Sequence, residues 1–135
     1  MTHVSSYSKK VIEHFRSPHN YGKIKDPDGK GKAGNPLCGD ILWIYIKVGK
    51  NKKKEEIIKD IKFETCGCVA AISSSSIVTD LVKGKTLKEA LELKESEIIK
   101  NLGGLPLVKS HCSVLATSAL KNAIYDYISK SRKKF

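Results

Sequence analysis

The chain has 135 residues, 40% hydrophobic and 29% charged, which fits one soluble globular domain spanning residues 1–135 and excludes a chain disordered throughout. Its longest apolar run, Ile41 to Ile46, is six residues, far short of the ~20 that cross a bilayer, and no membrane association is expected. Lys and Arg number 25 against 14 Asp and Glu, a net charge of +11, but Arg16 and Arg132 are the only arginines. Bidentate phosphate and base recognition favours Arg, so the charge reads as a Lys-rich solvated surface or a docking face for an acidic protein, with no specific nucleic acid.

The first ten residues lack the apolar segment of a secretory leader, and a cytoplasmic location is expected. Tyr7, Val11 and Phe15 recur every fourth residue between a possible Ser6 or Ser8 cap and Pro18, which predicts a short amphipathic helix. From His19 to Pro36 the Gly and Pro content predicts irregular chain, with a short strand near Lys32 and Ala33. Ile41 to Val48 is β-branched and aromatic, a strand expected to be covered on most of both faces, with Trp43 and Tyr45 in the core. After the Lys50 to Lys54 turn, Ile57, Ile61 and Phe63 alternate with Ile58, Asp60, Lys62 and Glu64, predicting the second arm of an antiparallel hairpin.

Beyond Phe63 the period becomes helical, and Gly84 ends a helix that carries the small-residue run Ser73 to Ser76. Thr86-Leu87-Lys88-Glu89 reads as a capping box opening a helix through Leu93, and another short helix is expected over 95–102. A spacing-four stripe from Leu115 to Ile128 predicts a long final helix, with flexible ends at residues 1–5 and 130–135. The expected fold class is α+β: a small antiparallel sheet of about three strands packed by an N-terminal helix and a C-terminal set of helices.

Four cysteines, at 38, 66, 68 and 112, form no CxxC pair, and a chain of this size needs no disulfide staples. Metal or thiolate chemistry is the better reading. Cys68 falls at a predicted strand-to-helix junction and Cys112 just before the final helix, places where unpaired amides favour thiolate. Cys38 lies in the turn Pro36-Leu37-Cys38-Gly39-Asp40. If the fold brings these segments together, Asp40, Lys109 and His111 accompany three soft ligands suited to Zn, Cu(I) or iron–sulfur clusters. His3, His14 and His19 read as surface residues.

The motifs Pro36-Leu37-Cys38-Gly39-Asp40, Thr65-Cys66-Gly67-Cys68 before a Ser-rich helix, and Lys109-Ser110-His111-Cys112-Ser113, in this order, resemble the IscU family of iron–sulfur cluster scaffolds, similar to the NifU N-terminal domain. The likeness runs from about Tyr7 to Tyr127. It implies that Cys38, Cys68 and Cys112 are the scaffold thiols and sulfur acceptors, that Asp40 and His111 are further ligands, and that Lys109 is auxiliary. It also implies a protein that is not a turnover enzyme: sulfur from a PLP-dependent cysteine desulfurase and iron are built into a [2Fe-2S] cluster, with [4Fe-4S] as the alternative, and passed to apo-proteins. Zn can occupy the same site, and the expected state is a monomer or a cluster-linked homo-oligomer. The compact interval from Cys68 to Cys112 and the presence of His111 favour the IscU type over the sulfur-relay relatives.

Two departures stand out. Cys66 takes a position commonly aromatic in the family and is expected to be a buried bystander facing away from Cys68. Leu105-Pro106-Leu107-Val108-Lys109 lacks the second Pro of the family's chaperone-recognition segment, which leaves an Hsp70-type partner open. The rival readings are a zinc-binding structural or interaction module and a nucleophilic enzyme using Cys112 and His111.

Overall fold

The computed structural model describes residues 8–35, 40–66, 69–101, 103 and 111–132. Helix α1, Lys9–Arg16, starts where Ser8 accepts the Val11 N–H through its hydroxyl oxygen at 3.2 Å, and it closes at Ser17, just before Pro18. Val11 is buried, whereas Phe15 is 40% exposed, because the face turned to the rest of the molecule carries Val11 and His14, spaced by three rather than four.

Three strands follow, β1 at Gly29–Asn35, β2 at Asp40–Lys50 and β3 at Glu56–Cys66, in an antiparallel sheet of order β1-β2-β3. β1 is longer than the short strand expected near Lys32. Its Gly-Lys-Gly-Lys pattern carries no apolar signal, and its pairing, Gly29 opposite Ile46 through Asn35 opposite Asp40, depends on what covers it. The β2–β3 turn is organised by Asn51, whose side-chain oxygen accepts the N–H groups of Lys53 and Glu55 at 2.9 and 3.0 Å.

The hairpin departs from strict alternation. Lys47 pairs with Asp60 and Val48 with Ile58, so Lys59 is an extra residue in β3. The bulge turns Ile58 into the core beside Ile61 and Phe63, while Ile57 is only partly buried, reversing the facing expected for this isoleucine pair.

Helices α2, Val69–Val82, α3, Leu87–Leu91, α4, Glu95–Asn101, and α5, His111–Arg132, complete the chain. Gly84, at φ +86°, follows α2 in the left-handed conformation that glycine adopts without strain. The capping box is present, with Thr86 accepting the Glu89 N–H and Glu89 accepting from Thr86, although α3 stops at Leu91. Ser73 to Ser76 are fully buried, and the Ser73 hydroxyl donates to the Val11 carbonyl at 2.7 Å, tying α2 to α1. α5 runs through Lys130, which pairs with Asp126, into the stretch expected as a flexible end.

The helices gather on the sheet face bearing Leu42, Ile44, Ile46, Ile61 and Phe63, where Ala119, Leu120, Ala123 and Ile124 of α5 join one buried cluster. The fold is α+β with a three-stranded antiparallel sheet, as expected. Among the described residues no helix is long and apolar enough to cross a membrane.

Candidate functional site

α5 crosses β1 at backbone contact. A Cβ on Gly29 would lie 2.2 Å from the Ala123 carbonyl oxygen, and one on Gly31 would lie 2.2 Å from that of Ala119. Two residues along the strand therefore match four along the helix, as rises of about 3.3 and 1.5 Å per residue require. Continued, that step runs the Asn35 end of β1 toward the His111 end of α5. At the same end of the sheet Asn35 pairs with Asp40, Ile41 with Cys66, and α2 begins three residues after Cys66.

Of the predicted site residues, Asp40 opens β2, and His111 and Cys112 are the first two residues of α5. The helix thus starts earlier than expected and takes Cys112 into its first turn. Cys38, Cys68 and Lys109, together with the side chains of Asp40, His111 and Cys112, lie outside the described residues.

Cys66 is exposed rather than buried. Its partner in the sheet is Ile41, and with Trp43 and Glu64 it lines a hollow of about 270 Å³ on the outer face of the sheet, opposite the helices. The strand continues through Cys66 to the sheet's rim, where among the described residues no helix or strand covers that face. Trp43 is likewise only partly buried, under the Lys30 and Lys32 ammonium groups, 4.6 and 4.9 Å from its ring centroid. Tyr45 is buried, as expected; its hydroxyl donates to Glu64 at 2.7 Å, and burial followed by that bond pushes its pKa up to about 12.

A second group of chemically capable side chains escaped the sequence reading. His14 of α1, His19 of the following turn and Asp80 of α2 each offer one ligand atom, all within 4.8 Å of one another. His14 Nδ1 lies 2.6 Å from the Ser76 hydroxyl, His19 Nδ1 lies 2.5 Å from an Asp80 carboxylate oxygen, and the two rings are 4.7 Å apart. His14 is partly buried, not a plain surface residue; desolvation first, and then the neighbouring His19, hold its imidazole below the ordinary value. No local pattern joins these residues, because His19 and Asp80 stand 61 positions apart.

A three-stranded antiparallel sheet backed on one face by helices defines the class. The profile of the NifU-like N-terminal domain matches residues 6–134, and the chain belongs to that family. It is 53% identical over 127 residues to "Iron-sulfur cluster assembly scaffold protein IscU 1" of Archaeoglobus fulgidus, covering 94% of this chain and 80% of that protein. To "Iron-sulfur cluster assembly scaffold protein IscU" of Escherichia coli K12 it is 48% identical over 132 residues, covering 96% and 99%. The crystal structure of a NifU-like N-terminal protein from Brucella abortus superposes with a TM-score of 0.68 over 91% of this chain and 94% of the other; at 19% identity it speaks to the fold alone.

Proposed function

We propose that this chain is an iron–sulfur cluster assembly scaffold: it receives sulfur from a PLP-dependent cysteine desulfurase, takes up iron, assembles a [2Fe-2S] cluster and transfers it to apo-proteins. In this reading residues 1–135 form a single scaffold domain, working in the cytoplasm as a monomer or a cluster-linked oligomer and not as a turnover enzyme. Cys38, Cys68 and Cys112 are the accepting thiolates, Asp40 and His111 complete the ligand set, and Lys109 is auxiliary. Thiolates hold iron firmly enough for assembly, whereas a carboxylate oxygen is a harder, more exchangeable ligand through which a cluster can leave. Zn suits the same donors and can occupy the site between assembly cycles.

The observation that supports this reading is the register of α5 on β1, Gly29 at Ala123 and Gly31 at Ala119, which directs the start of α5 toward the end of the sheet where Asn35 pairs with Asp40 and Ile41 with Cys66. The relatives named as scaffolds support it over nearly the whole chain. The test is anaerobic reconstitution with iron and sulfide, followed by visible absorption. Cys38→Ser, Cys68→Ser and Cys112→Ser should each lose the cluster chromophore, and Cys66→Ser should keep it. Loss in Cys66→Ser equal to the others, or a chromophore that survives the three substitutions, refutes the ligand assignment.

A further inference from the structure

The geometry points to a thiol-free metal site at His14, His19 and Asp80 that takes a borderline divalent first-row ion such as Zn²⁺ and clips α1 and its following turn to α2. It is separate from the cluster-assembly ligands. Imidazole and carboxylate are the donor types that zinc-class ions accept, and two histidines with one carboxylate leave a fourth position to water.

The second layer of contacts is already in place. Ser76, fully buried, lies 2.6 Å from His14 Nδ1 and accepts the His19 backbone N–H at 2.8 Å, so one hydroxyl orients the first histidine and anchors the chain at the second. A His14 tautomer with its proton on Nδ1, donated to Ser76, leaves Nε2 as the ligand atom, the arrangement in which ligating histidines are usually held. Asn20 donates to Asp80 Oδ1 at 3.2 Å and to the Thr79 hydroxyl at 2.9 Å, steadying the carboxylate from its other oxygen.

The turn bearing His19 and Asn20 is itself pinned to the sheet. The Phe63 N–H donates to the Asn20 carbonyl at 3.0 Å and the Gly22 N–H to the Phe63 carbonyl at 2.8 Å, with Asn20 at φ +60°, a conformation Asn tolerates better than most residues. Two ligand atoms on one tetrahedral zinc lie about 3.3 Å apart, so the widest pair, within 4.8 Å, closes by about 1.5 Å at most while the 2.5 Å His19–Asp80 pair opens by about 0.8 Å, a side-chain adjustment. His19 and Asp80 are 54% and 36% exposed, which gives an ion a path from solvent. On binding, His19 presents an unprotonated ring nitrogen to the ion, and coordinate bonds replace its contact with Asp80.

The test uses the full chain with all four cysteines replaced by serine, so that no thiolate competes, with circular dichroism verifying the fold. Zinc titration by calorimetry should show one equivalent bound, and zinc should raise the thermal midpoint. Adding His19→Ala or Asp80→Asn should weaken binding on the order of tenfold or more and abolish that rise. His14 is left in place because its contact with buried Ser76 also supports packing. A folded thiol-free chain that binds no zinc, or binding indifferent to both substitutions, overturns the site and leaves the three residues as a hydrogen-bonded clip only. If the thiol-free chain does not fold, imidazole nitrogen resonances of the wild-type chain decide: zinc must shift those of both His14 and His19. Because the readout is zinc on a chain without thiols, it stands or falls independently of the cluster chromophore.

Discussion

On the sheet face toward α5, Gly29 and Gly31 let two backbones touch, and Ile44, Ile46, Ile61 and Phe63 are fully buried around them. On the opposite face Lys30 and Lys32 occupy the alternate positions of the same strand, and their ammonium groups rest on Trp43. One strand thus serves two environments: the inner face excludes side chains by contact, whereas the outer face is covered by flexible side chains that can move aside. Substitutions on the inner face should therefore be costly through sterics, and those on the outer face modest and sensitive to charge and pH.

The sharpest way to break the contrast is Gly31→Ala. The added methyl meets the Ala119 oxygen at 2.2 Å and the Ala123 nitrogen at 2.3 Å, backbone atoms that cannot move without displacing α5. The expected loss is about 3 kcal/mol or more in urea unfolding. Gly34→Ala, in the same strand but exposed, serves as the control for glycine's backbone entropy.

An intermediate effect is expected at Tyr45→Phe, which removes a hydrogen bond to a carboxylate and should cost about 1.5 kcal/mol at neutral pH. The unfolded chain's tyrosine ionises near pH 10, while folded Tyr45 keeps its proton to about 12. Its contribution is complete below pH 10 and is lost as the pH rises through about 12. The stability gap between wild type and Tyr45→Phe should narrow across that window, followed by chemical unfolding at stepped pH and by tyrosinate absorbance. A gap constant from pH 9 to pH 12 would contradict the raised pKa.

The smallest effect belongs to the Lys30 and Trp43 pair. A double-mutant cycle of Lys30→Gln and Trp43→Leu should give a coupling of about 0.5–1 kcal/mol. The cycle is needed because removing one positive charge from a chain of net charge +11 also relieves general repulsion. Coupling indistinguishable from zero would make the outer face mere solvent-exposed surface.

These two faces also separate what local pattern could reveal from what it could not. The β2–β3 hairpin, the Ser8 and Thr86 caps and the long final helix were readable because each rests on neighbours within a few residues. The candidate cluster site rests on another ground: its cysteines, Asp40 and His111 sit in short motifs whose order resembles that of the family. Cys66 is exposed, against the expectation of burial, because its environment depends on which sheet face the described helices cover, a property of the assembled fold.

By itself the sequence determined the order and type of the elements, the Ser8 and Thr86 caps, the stop at Gly84, and the family, since capping, turn chemistry, periodicity and motif order are local properties of the chain. Only the tertiary structure decided the rest. β1 extends over seven residues because α5 lies against its glycines, a contact no residue of β1 announces. Ile58 rather than Ile57 enters the core because one extra residue, Lys59, reverses the alternation. His14, His19 and Asp80 meet because the turn after α1 is hydrogen-bonded to both β3 and α2. In each case the deciding contact joins distant segments, and its energy is realised only when the whole core assembles around it.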